Sequence, residues 1–101
     1  MKQRFPNKLT EEKLVLGFEF TAELNVGETL TGTPTVTASA VEGTDAAPSG
    51  LLNGAAQISD GTVLVPVKDG VEGVTYAVRV IVATTNAAKV LGLVGKVTVE
   101  A

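Results

Sequence analysis

Five carboxylates stand where a reaction could be sought: the adjacent pair Glu11-Glu12, then Asp45, Asp60 and Asp69. Paired carboxylates can divide acid and base roles when their surroundings hold their pKa values apart, and clustered ones can bind a hard cation through oxygen. Each of these residues falls in a polar arm or a turn, where a solvated charge or an Asx turn accounts for it. Asp60 and Asp69 lack the dense ligand spacing of oxygen-rich cation loops. The chain has no His and no Cys. The usual base near neutral pH, the commonest nucleophile and the commonest soft metal ligands are therefore missing, and no hydrolase triad can be assembled. Gly70-Val71-Glu72-Gly73 has the glycines of a turn but no following helix to hold a phosphate. Arg79 stands mid-strand, either a solvent-facing charge on an exposed sheet or a partner for an acidic neighbour across an interface. The expectation is a protein without catalytic, cofactor-binding or metal residues.

The elements that would position any site are strands. The chain has 101 residues, enough for one domain, and a domain of that size buries roughly 60–68% of its unfolded surface. Its 45% hydrophobic content is dominated by 16 Val and 12 Ala, joined by 13 Thr, a composition that favours strands over helices. Without cysteine, stability must come from packing. A net charge of −3 offers no electrostatic basis for gripping nucleic acid or an anionic membrane. Met1-Lys2-Gln3-Arg4 is basic like a signal-peptide start, yet Phe5-Pro6-Asn7-Lys8 follows where an apolar stretch would be needed. Neither a secretion signal nor a transmembrane helix is expected.

The longest alternation runs from Gly73 to Thr85, with Tyr76, Val78, Val80 and Val82 on one face and Ala77, Arg79, Ile81 and Ala83 on the other. Leu14 to Thr21 places Leu14, Leu16, Phe18 and Phe20 on a common face, and the two aromatics with Tyr76 are expected to anchor the core. Thr29 to Val41 is extended but broken near Gly32 and Pro34, after which Val36, Ala38 and Ala40 share a face. Leu51 to Ile58 reads as a weaker strand. Asp60-Gly61 marks a hairpin into Thr62 to Lys68, where Pro66 argues for an edge strand with its missing N–H toward solvent. Lys89 to Glu100 closes the chain. About seven strands, turn signals every 8–12 residues and no convincing helix predict an immunoglobulin-like β-sandwich over residues 14–101, a small barrel being the alternative.

Residues 1–13 read as an extended N-terminal arm, either frayed or free to reach a neighbour. Arg4, Phe5 and Leu9 in the arm, and the edge formed by Val65, Pro66 and Val67, are the candidate contact residues. Leu91 and Leu93 join them: Val90-Leu91-Gly92-Leu93-Val94 is apolar on both faces, so one face is either covered by a crossing strand or is a subunit contact.

The order Phe5-Pro6-Asn7-Lys8-Leu9, Leu16-Gly17-Phe18-Glu19-Phe20-Thr21, Gly27-Glu28-Thr29-Leu30 and Gly73-Val74-Thr75-Tyr76 through Ala83-Thr84-Thr85 resembles small immunoglobulin-like proteins of tailed bacteriophages, the fiber-tail adaptors. The chain departs from that pattern at Leu16-Gly17, where an aromatic would stand, at Glu19 in place of Asp, and in its apolar ending. The resemblance implies a virion structural protein, a tail-fiber or head–tail adaptor without enzymatic activity. Its partners would be other virion proteins and further copies of itself in a homo-oligomeric ring, with no nucleic acid or membrane. A capsid decoration protein and a bacterial surface adhesion or carbohydrate-binding module are the alternatives.

Overall fold

Strand-forming Val and Thr in alternation resolve into eight strand segments in the computed structural model, which describes residues 2–100. They are β1 (Lys2–Arg4), β2 (Lys8–Leu9), β3 (Leu14–Glu19), β4 (Leu30–Glu42), β5 (Gln57–Ser59), β6 (Thr62–Val67), β7 (Thr75–Thr84) and β8 (Val90–Glu100). Two short 3-10 turns, Thr21–Glu23 and Pro48–Leu51, are the helical pieces among the described residues. The larger sheet runs β1-β8-β7-β4 with β2 also on β8, and the smaller runs β3-β6-β5. The protein is all-β and sandwich-like.

The core lies between the sheets and follows the alternation. Phe18, Phe20 and Tyr76 are fully buried, as expected of the anchors, with Val63, Val78, Val80 and Val82 around them. Each such apolar side chain contributes roughly 1.5–3 kcal/mol by leaving water. Val36, Ala38 and Ala40 of β4 point the same way but are only half-buried. They lie opposite β5, a strand of 3 residues.

Four expectations change. The stretch read as a free arm is stitched to the larger sheet: β1 and β2 pair parallel with β8. Phe5 N donates to Lys96 O and Thr10 N to Glu100 O, both 2.9 Å, so the two segments occupy one flank of β8 and together supply the seventh strand position. Met1 and Ala101, the outer limits of the expected arm and domain, lie outside the described residues.

β6 is not an edge. It sits between β3 and β5, with Pro66 opposite Val15. Pro66 O accepts from Asn53 N at 2.9 Å, so the missing N–H faces the same side, toward the segment that follows Leu52. This also explains why Leu51 to Ile58 is not one strand. A ladder on that side has no donor opposite Pro66, and pairing shrinks to a single Leu52–Val67 bridge and β5 itself.

Finally, the two apolar faces of the ending separate. Leu91 and Leu93 both face the core, Leu93 buried and Leu91 half-buried against it, while Val90, Gly92 and Val94 form the other face.

Candidate interaction surfaces

The N-terminal strap is held by one inserted ring. After Arg4, which pairs with Lys96, Phe5 turns inward and meets Phe18 edge-on, with ring centroids 5.1 Å apart at 65°, a favoured aromatic geometry. Gly95 makes this possible. A Cβ there would collide with the Phe5 ring and stand 2.8 Å from Phe18, so only glycine leaves room for the insertion. Beyond Pro6 the strap resumes at Lys8 and Leu9, and Glu12 closes it by accepting from Leu9 N at 2.7 Å.

Lys8 is fully buried. Its ammonium donates to Asp69 O at 2.6 Å and Leu9 O at 2.8 Å, tying the strap to the turn before β7. Burial lowers its pKa from 10.5, and the negative charges of Asp69 and Glu12 partly offset the effect. A buried cation is tolerated only when carbonyls replace its water, and here they do. Sequence reasoning misses Lys8 because a lysine in a charged segment looks solvated; its place in the Pro6-Asn7-Lys8 register opposite Val99 is invisible without the pairing.

At the same end of the sandwich Tyr76 bridges two loops. Val71 N donates to its hydroxyl at 2.8 Å, and the hydroxyl donates to Asp45 Oδ2 at 2.6 Å. Burial raises the Tyr76 pKa above 10, and the bond to Asp45 adds to that. Asp45 is lowered in turn by the Tyr76 hydroxyl and by Ala47 N–H. The carboxylate is a loop fastener.

The opposite end is fastened by Glu28. It accepts from Lys89 Nζ at 2.8 Å, Asn25 N at 2.8 Å and Asn86 Nδ2 at 3.2 Å, and Lys89 also donates to Glu23 O. These donors, Lys89 foremost, hold the Glu28 pKa at about 2. Beside them Thr21, Leu24, Val26, Asp60 and Gly61 line an open depression of about 340 Å³. Glu11, the remaining candidate carboxylate, is exposed. No three Asp or Glu side chains converge as a metal-binding group among the described residues.

The candidate contact residues divide by burial. Arg4 is exposed and Leu9 is 42% exposed on the strap. Val65, Val67 and Leu93 are core residues and Phe5 packs against the core, so their side chains act from inside. Pro66 alone of its triplet faces outward. There it adjoins Val15, which is 62% exposed, and with Leu64, Ala55 and Gln57 they line an apolar depression of about 220 Å³ on the outer face of the smaller sheet. Leu64 shares the face of Pro66 by alternation within β6, but only the β3–β6 register brings Val15 to it. Both depressions are open to solvent.

No curated protein and no solved structure matches the chain. A family model described as podophage GP4 fiber-tail adaptor protein gp77 matches residues 8–91, from the buried lysine to the inward-facing leucine of β8. That span holds the whole of the smaller sheet and β2, β4 and β7 of the larger, and the chain belongs to this fiber-tail adaptor family, a structural component of the phage virion.

Proposed function

We propose that the protein joins neighbouring virion components, coupling a fiber to the tail or the head to the tail, through contacts between folded subunits and without chemistry. The single observation that carries this reading is the family match across residues 8–91. The geometry supports it: the conspicuous polar residues fasten loops, and the exposed apolar residues Leu9, Val15, Val41 and Val90 lie on strands. Copies arranged as a ring around the tail would present Arg4 and Leu9 on the strap, and Pro66 with Val15 on the smaller sheet, to different neighbours. Heterologous contacts of that kind close into rings when their rotation permits. The order of strands, β3-β6-β5 facing β4-β7-β8, supports an immunoglobulin-like reading of the sandwich.

Cryo-electron microscopy of assembled particles tests the proposal. Density for this chain is expected in the tail region, in a symmetric set between a fiber or connector and the tail. Density covering the capsid shell instead, or none at the tail, would overturn it.

A further inference from the structure

The larger sheet treats its two flanks differently. The flank of β8 is covered by β1 and β2, whereas β4, 13 residues long, ends the sheet on the other side. Alternation along the ladder shows which of its groups are bare. Val99 N donates to Val74 O and Thr85 N to Thr29 O, so even-numbered residues of β7 bond to β8 and odd-numbered ones to β4. Thr35, Thr37 and Ser39, opposite Ile81, Arg79 and Ala77, therefore bond to β7. Val36, Ala38 and Ala40 hold their N–H and C=O groups toward the open flank. Among the described residues nothing bonds to that flank.

A row of unpaired backbone groups is complementary to an extended strand, and soluble proteins usually guard such an edge with charge, proline or a bulge. Here the guards stand at the ends only. Pro34 and the register shift between Thr31 and Thr35 close one end, and Glu42 the other. Between them Thr35-Val36-Thr37-Ala38-Ser39-Ala40-Val41 carries no charge, no Gly and no Pro, the composition of a segment that pairs with its like.

We propose that a second copy of this chain pairs antiparallel along β4, about a two-fold axis at Ala38, joining the two larger sheets into one. The register follows from the guards, because Ala38 is the midpoint of the window from Thr35 to Val41. It sets Val36 against the partner's Ala40 and Ala38 against the partner's Ala38, which are the residues whose backbone groups face the seam. Side chains keep to their faces: half-buried Val36, Ala38 and Ala40 extend the apolar inner face, and Thr37 meets the partner's Ser39 on the solvent face. No like charges oppose each other. The pairing is independent of the adaptor reading and adds to it that copies occur in even numbers.

Sedimentation of the intact chain over a range of concentrations, with oxidative cross-linking, tests this. The wild type should show a monomer–dimer equilibrium. Thr37 and Ser39 are both exposed, so T37K/S39K should fold and melt as wild type while like charges across the seam weaken association by about tenfold or more. Mixing it with T37E/S39E should restore the dimer. Because the chain has no cysteine, Ala38→Cys should cross-link to itself, directly opposed Cα atoms in such a pair being about 5.5 Å apart, and Thr35→Cys should not. A wild type that stays monomeric while Ala38→Cys forms no cross-link, undiminished dimer in T37K/S39K, failure of the mixture to re-form it, or equal cross-linking at both positions overturns the proposal.

Discussion

The Phe5 ring stands edge-on to Phe18 at a centroid distance of 5.1 Å, which pins the first strand to the centre of the sandwich. Phe5→Ala should cost about 2–4 kcal/mol, near the low end for a truncated core aromatic because Phe5 is half-buried. Thermal unfolding should show a fall of roughly 10 °C or more. Deleting residues 1–12 should cost more, since it also strips the flank of β8 and removes Lys8. Unchanged melting of that deletion is what a free arm predicts, and it would refute the stitched one.

Lys8→Met keeps length and apolar bulk but leaves Asp69 O and Leu9 O without their donor. The expected loss is about 1–3 kcal/mol, measured by chemical denaturation. Lys8→Arg should not rescue it, because a planar guanidinium does not fit a site built for a compact ammonium.

Tyr76→Phe removes one acceptor and one donor while preserving the ring in the core. It should cost about 1–2 kcal/mol, and a double-mutant cycle with Asp45→Ala should reveal coupling between the two residues. The folded pKa of Tyr76 lies above 10. Its contribution is therefore complete below pH 10 and fades as pH rises through the folded value. The phenylalanine variant should lose that alkaline slope.

On the acid side the sign reverses. Glu28 titrates at about 2 when folded against an ordinary 4.5, so the unfolded chain takes up the proton first. Stability should hold above pH 4.5 and fall from there toward about 2, with Asp45, also lowered, adding to the same limb. Glu28→Gln should flatten the decline in a pH series of melting curves. High salt should weaken the wild-type advantage, since the Glu28–Lys89 pair is only partly shielded from solvent.

The alternation of Tyr76, Val78, Val80 and Val82 is enough to name the central strand and its inner face, because period two over that length has one physical meaning. The hairpin at Asp60-Gly61 and the inward face of β4 are equally plain. What alternation cannot convey is pairing. Lys2 to Leu9 are polar apart from Phe5, Pro6 and Leu9, and nothing local says that β8 will bond to them from the far end of the chain. Pro66 does carry true information, a missing donor, but its consequence falls on the neighbour: β5 stops short while β6 stays central. The fastening residues Lys8, Asp45 and Glu28 are unreadable for the same reason, since their partners are turns brought together by the fold.

The parallel mating of β2 with β8, Lys8 beside Val99 and Leu9 beside Glu100, bears on how the protein would carry load. A pull applied through Lys2 and Glu100 runs along both strands in opposite senses, so the bonds between them resist in shear, all at once, instead of parting one after another like a zip. With Phe5 acting as a detent against Phe18, the domain is shaped to transmit tension between its two ends before it yields.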